Sequence, residues 1–230
     1  MIPGAVPIIA SGVPAPKLTY VGTTANASGS SFANIPIGDA HPTRAIIVCL
    51  GVAWDPGSPG FVFTGITVGG ITGSLVIDKA QGSFARSYVF ITSVPTGTTE
   101  TISFTGSTRP NRCNIFSVYA VNYLKSTTAV ATDIAGVGAS NASISLDVPV
   151  NGIAVASAMN AQTGTTGYPS GGWSGANLDN NTTFGSGLLS RIFTCCAGSF
   201  ASPVAVVGHG ISTTNMSSGE STALCGASFR

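Results

Sequence analysis

The stretch Arg44-Ala-Ile-Ile-Val-Cys-Leu-Gly-Val-Ala-Trp54 is the longest nearly unbroken apolar run in the chain, and it alternates in size. Ile46, Val48, Leu50, Val52 and Trp54 fall on one face of an extended backbone. Ala45, Cys49, Gly51 and Ala53 fall on the other, where Ile47 is the one large side chain. A strand sends successive side chains to opposite faces. The run therefore predicts a central strand with its bulky face in a core and its small face against a closely packed second layer. Its β-branched residues and the flanking Asp55-Pro-Gly-Ser-Pro-Gly60 favour a strand over a helix of equal length.

The rest of the chain reads the same way. Strands are predicted at Leu18–Val21, Phe32–Ile37, Phe61–Phe63, Ile66–Val68, Leu75–Ile77, Arg86–Thr92, Thr99–Thr105 and Asn114–Leu124. The second half repeats the logic. Ser143–Val148 sets Ile144, Leu146 and Val148 on one face, and Ile153–Met159 again opposes large residues to Ala154, Ala156 and Ala158. Leu188–Cys196, Val204–Val207 and Ala223–Phe229 supply three more strands. No segment has sustained helical periodicity. Short strands between Gly, Pro, Ser and Asn turns predict an all-β fold, an antiparallel β-sandwich of jelly-roll type. Residues 1–16, with Pro3, Pro7, Pro14 and Pro16, read as an extended Pro-rich N-terminal arm. Residues 17–230 are expected to form a single sandwich domain, with a division near 126–139 as the lesser alternative.

Charged residues make up only 7% of the chain and the net charge is +1, against about 25% charged residues in ordinary soluble domains. Such a surface is either coated with hydroxyls and amides or covered by neighbours. Lys and Arg are scattered singly, so neither nucleic acid nor an anionic membrane is an expected partner. No run reaches the length of a membrane-crossing helix. The Pro-interrupted start does not read as a signal peptide, so the protein is expected to stay where it is made.

The residues that carry chemistry are sparse. His41 lies beside a proline and His209 between glycines, and no nucleophile-elbow motif accompanies them. The carboxylates Asp39, Asp55, Asp78, Glu100, Asp133, Asp147, Asp179 and Glu220 single out no pair. No enzyme, cofactor or metal is predicted. Asp179-Asn-Asn-Thr182 is oxygen-rich but lacks a calcium-loop pattern and reads as an Asx turn. The five cysteines form no metal spacing. They read first as buried thiols acting as small hydrophobes. Cys195, Cys196 and Cys225 are the candidates for an intermolecular disulfide in an oxidising setting. Tyr168 and Trp173, in a Gly-rich stretch, are the candidate recognition loop for a glycan or a protein partner; the competing reading makes Trp173 a cap on the sandwich core.

Several short stretches resemble virion structural proteins of tailed bacteriophages. They are Ser31-Phe-Ala-Asn-Ile-Pro-Ile-Gly38, Arg44 opening the long apolar strand, Ile66-Thr-Val-Gly-Gly70 and Val94-Pro-Thr-Gly-Thr98. Val150-Asn-Gly152 leading into an Ala-rich strand, the Gly-Trp stretch and the terminal Ala-Ser-Phe-Arg230 continue the likeness. The resemblance spans most of residues 18–230. It implies a non-enzymatic β-sandwich subunit of a virion, as a capsid decoration, a collar (neck) component or part of a tail fibre. It also implies partners: other virion proteins, and copies of itself in a homo-oligomer, a trimer among the candidates. Residues 1–16, through Pro3, Pro7, Pro14 and Pro16, are then expected to contribute to the interface. The alternative function is a carbohydrate-binding module or adhesin with a glycan or host-surface ligand at the Trp173 loop. A hydrolase centred on His209 is the remote third reading.

Overall fold

The computed structural model describes residues 14–26, 29–54, 62–82, 85–106, 113–137, 141–163, 172–186, 191–214 and 221–230. Sixteen strands and no helix occur among them. The first eight are β1 (Lys17–Asn26), β2 (Ser31–Pro36), β3 (Ala45–Ala53), β4 (Phe63–Val68), β5 (Ile71–Gln81), β6 (Ala85–Ser93), β7 (Thr99–Gly106) and β8 (Cys113–Asn122). They pair antiparallel in the order β1-β8-β3-β6-β5-β4-β7-β2. First pairs with eighth, second with seventh, third with sixth and fourth with fifth. That is a long hairpin wrapped into two facing sheets, a jelly roll.

The other eight are β9 (Ala131–Val137), β10 (Ser143–Val148), β11 (Gly152–Thr163), β12 (Gly172–Ser174), β13 (Asn177–Ser186), β14 (Arg191–Ser202), β15 (Val206–Thr214) and β16 (Ser221–Phe229). They form a five-stranded sheet, β13-β14-β11-β16-β9, and a three-stranded one, β10-β15-β12. Adding eight to every strand number of the first roll reproduces each ladder of the second; only β4–β5 has no laddered counterpart. The jelly-roll plan is laid down twice. The ladders divide at residues 123–130, and side-chain packing rejoins what they separate.

The alternation in β3 explains how. Ile46, Val48, Leu50 and Val52 point into the first roll, among Phe32, Phe63, Phe90, Phe104 and Phe116. Edge-on ring pairs such as Phe32–Phe116 at 5.1 Å and Phe104–Phe116 at 5.5 Å fill that interior. Ala45, Ile47 and Cys49 face outward and pack on Ile153, Val155, Cys225, Ala227 and Phe229 of the second roll. Further along, Ala53, Ala85, Cys113 and Ile115 meet Met159, Ala161, Cys195 and Ala223. The two rolls thus share a dry seam.

The size pattern inverts across it. In β11 the large residues Ile153, Val155 and Met159 face the seam, whereas Ala154, Ala156 and Ala158 line the second roll with Ile144, Leu146, Ile211 and Leu224. Small residues of β3 therefore oppose large ones of β11, which keeps the volume filled. Gly51 is the tightest point: a Cβ there would lie 2.7 Å from Cys195 Sγ and 2.9 Å from Met159 Sδ.

The seam is close to two-fold. β3 packs on its own counterpart β11, β6 touches β11 as β14 touches β3, and β6 touches β16 as β14 touches β8. Likewise β5 meets β16 and β9 where β13 meets β8 and β1. Polar links cross at the margins, where the Ser87 hydroxyl donates to the Ala223 carbonyl at 2.8 Å and the Tyr119 hydroxyl to Asp179 Oδ2 at 3.0 Å.

Most predicted strands are present, several longer than expected. Phe63 and Ile66–Val68, predicted in separate strands, belong to one strand, β4; Val62 precedes it and Phe61 lies outside the described residues. Val204 lies in a turn before β15. Three strands were not foreseen: β9, β12 and β13. The Asp179–Thr182 stretch, expected to be an Asx turn, is edge strand with a bulge between Leu178 and Asn180.

Because each roll covers an apolar face of the other, heating is expected to give one cooperative transition by calorimetry, whereas two independent transitions would show the rolls unfolding separately. Overpacking the seam with Gly51→Leu should destabilise the fold by roughly 1–3 kcal/mol or more. It should also make Cys49 and Cys195 accessible to a thiol reagent that leaves them untouched in the native protein, as read by mass spectrometry of the labelled peptides.

Candidate functional site

β3 and β11 start side by side across the seam, through Ala45 and Ile47 on one and Ile153 and Val155 on the other. The turns that precede them therefore lie at one end of the molecule. This end holds the β2–β3 turn at 37–44, the β6–β7 turn at 94–98, and their counterparts at 149–151 and 203–205.

In the first roll Arg44 locks the two turns together. Its side chain is 1% exposed. Nε donates to the Val94 carbonyl at 2.7 Å, Nη1 to Gly38 at 2.6 Å, and Nη2 to Thr96 at 2.5 Å and Gly97 at 2.9 Å. A planar fork of N–H donors suits such a cluster of carbonyls, and a lysine ammonium does not. Burial lowers the guanidinium pKa, while Glu100 and Asp39 push it back up.

Beside it, the Thr43 amide donates to His41 Nδ1 at 3.2 Å, which leaves the ring proton of a neutral imidazole on Nε2, 3.2 Å from the Tyr123 hydroxyl. The Tyr123 amide in turn donates to Thr43 Oγ1 at 2.9 Å. Tyr123 has φ of 64°, a left-handed conformation rare for an aromatic residue. This network fixes the turn by which the chain leaves β8.

Gly152 stands where Arg44 stands. Arg44 N–H donates to the carbonyl three residues back, His41, at 2.9 Å, and Gly152 N–H does the same to Pro149 at 2.8 Å. The next residues, Ala45 and Ile153, pair with Ser93 and Ala201 in equivalent strands. No side chain reaches out from 152 to tie the 149–151 and 203–205 turns. Instead these turns carry Val150 and Val204, exposed by 48% and 62%, with Val207 at 86% just beyond. Next to them lies an open groove of about 190 Å³. Ala15 and Pro16, the base of the arm, form one side; Asn151, Gly152, Ala201, Ser202 and Pro203 form the other.

Of the arm residues expected at an interface, Pro14 and Pro16 sit at this end, and Pro3 and Pro7 lie outside the described residues. Tyr168 lies outside them too. Trp173 is on β12, half-buried against the second roll's core. Its indole nitrogen lies within 2.9 Å of where a Cβ on Gly198 would be. Cys195 and Cys225 are buried thiols in the seam, and the side chain of Cys196 is not among those described. Burial pushes the Cys225 thiol up, and pushes Cys113 up to about 12, so neither carries thiolate at neutral pH. His209 stacks on Phe200 at 3.8 Å and donates from Nε2 to the Gly175 carbonyl at 2.6 Å. His41 and His209 belong to different rolls. Among the described residues, no group of three or more His, Cys, Asp or Glu converges as a metal site.

Sequence reasoning missed the exposed valines. Val204 and Val207 read as strand material and Val150 as part of a turn, because exposure of an apolar side chain has no local signature.

No protein-family model matches the chain, and no curated protein matches it in sequence. Among solved structures it has a likeness to a crystal structure of Cucumber Necrosis Virus, with 10% sequence identity, 98% of this chain and 95% of that chain covered, and a TM-score of 0.26. A TM-score that low does not establish a shared strand layout.

Replacing Arg44 should test the lock. Arg44→Met leaves four carbonyls at the turn end without their donor, and Arg44→Lys restores the charge but not the fork. Both are expected to destabilise the fold in urea denaturation, Arg44→Met by about 1–3 kcal/mol or more, the range for leaving buried acceptors unsatisfied.

Proposed function

We propose that this protein is a non-enzymatic structural subunit that associates with copies of itself as a component of a virion. The observation that carries the reading is the asymmetry at the turn end. A polar lock ties the turns of the first roll, while the turns of the second carry exposed Val150 and Val204 and adjoin an open groove lined in part by Ala15 and Pro16. Singly exposed apolar residues are ordinary, but a cluster next to a groove marks a contact surface.

Two further features support it. Charged side chains are 7% of the chain, which suits a surface that neighbours cover. The chemistry-bearing side chains have structural occupations: Arg44 binds carbonyls, His209 packs on Phe200, and Asp179 accepts from Tyr119. The resemblance of residues 18–230 to tailed-phage virion proteins supports a role on such a particle, as a capsid decoration, collar or tail-fibre component.

Light scattering after size exclusion tests this on the full chain. The expected result is a discrete oligomer whose mass is unchanged by reductant, because Cys195 and Cys225 are buried. Deleting residues 1–13 should lower the mass while leaving the melting temperature and the β-type circular dichroism unchanged. A monomer at every concentration, or an oligomer indifferent to the deletion, would sink the reading.

A further inference from the structure

A pocket of about 300 Å³ opens at one margin of the seam, between β5 and the connector that leads into β9. Ser74, Thr127 and Thr128 bring hydroxyls to it, and Leu75, Val76 and Ile91 give it an aliphatic wall. We propose that this pocket binds a neutral phenol ring, carried by a free small molecule or by a tyrosine of a partner. The inference stands apart from the assembly reading above.

The duplicated fold carries the argument. β5 and β13 bulge at the same place, between Leu75 and Ile77 in one and between Leu178 and Asn180 in the other. Val76 is therefore the counterpart of Asp179. Tyr119 pairs with Ile47 as Ala227 pairs with Val155, so Ala227 is the counterpart of Tyr119. At one margin of the seam Tyr119 is fully buried and its hydroxyl crosses to Asp179 at 3.0 Å. The Tyr20 ring lies against it, with centroids 5.6 Å apart. At the other margin β5 meets β16, and Val76 packs on the apolar cluster that holds Ala227. Thr132 pairs with Ala227 there, where Tyr20 pairs with Tyr119. Two phenol rings at one margin thus correspond to an alanine and a threonine at the other, and the pocket opens beside Val76.

The lining narrows the ligand class. No residue in it is charged, so an ion would find no partner to replace its water. The aliphatic wall packs on a flat apolar ring, and the three hydroxyls can each donate to or accept from one polar substituent. The volume stands at the lower end of the roughly 300–1,000 Å³ of small-molecule pockets, which suits a single substituted ring. The Thr128 amide donates to Ser126 Oγ at 3.0 Å, which holds the connector wall in shape.

Methyl NMR on the full chain reads the site directly, because every residue of the aliphatic wall and both threonines carry methyl groups. Protein isotope-labelled at its methyls is titrated with p-cresol. Saturable shifts confined to Leu75, Val76, Ile91, Thr127, Thr128 and their neighbours are the expected result. Toluene, which lacks the hydroxyl, should bind about tenfold more weakly, the effect of losing one hydrogen bond; equal binding would overturn the assignment of a phenol. The peptide acetyl-Gly-Tyr-Gly-amide forms the second arm. Shifts of the same methyls would identify a tyrosine side chain as the source, and p-cresol binding without them would identify a free phenol. The double variant Val76→Asp/Ala227→Tyr copies the filled margin and should abolish p-cresol binding. Thr128→Trp, on the exposed connector, should do the same without touching the seam, which covers a double variant that fails to fold. Shifts scattered over the surface, no shift up to the solubility of p-cresol, or undiminished binding in Thr128→Trp would overturn the proposal.

Discussion

Everything else in this structure depends on the seam between the two rolls. A jelly roll buries one face of each sheet and leaves the other to solvent or to a partner. Here the outer face of each central sheet is apolar: Ile47, Val89, Ile91 and Val121 on one, Ile153, Val155 and Phe229 on the other. Neither face is suited to water. Fitting them together removes both liabilities and fixes the direction of β3 against β11. It thereby also fixes which turns share an end of the molecule. The arrangement has the geometry of a two-fold dimer interface, contained in one chain.

That geometry accounts for what was legible in the sequence. The size alternation of residues 44–54 records two different neighbours, an aromatic interior and a close-packed seam, and Gly51 marks the closest approach. The matching alternation at 153–159 was legible for the same reason. Its sense was not, because a large–small pattern shows that the faces differ but not which one is inside. Strands β9 and β13 were missed because both lie at sheet edges, paired along one side by described strands. Edge strands need no continuous apolar face and tolerate residues such as Asp133, Asp179 and Asn180 that read as loop. The bulge at Asp179 even serves the seam, since it brings the carboxylate to the Tyr119 hydroxyl.

The candidate site was half legible. Proline spacing predicts an extended arm over residues 1–16, of which residues 14–16 are among those described. Arg44 was noticed as the residue opening a strand, yet its four carbonyl partners come from turns six to 53 positions away. No local pattern encodes such a lock. The exposed valines were hidden for a related reason: Val204 and Val207 look like core residues until the fold leaves them in solvent.

The duplication also constrains how one copy can meet another. A surface that fits its own symmetry mate is what makes a two-fold homodimer, and the apolar faces suited to that role are already consumed within the chain. Under the assembly proposed above, contacts between copies would use features in which the rolls differ. The turn end shows such a difference: Arg44 ties the turns of the first roll through their carbonyls, whereas an open groove lies beside the corresponding turns of the second.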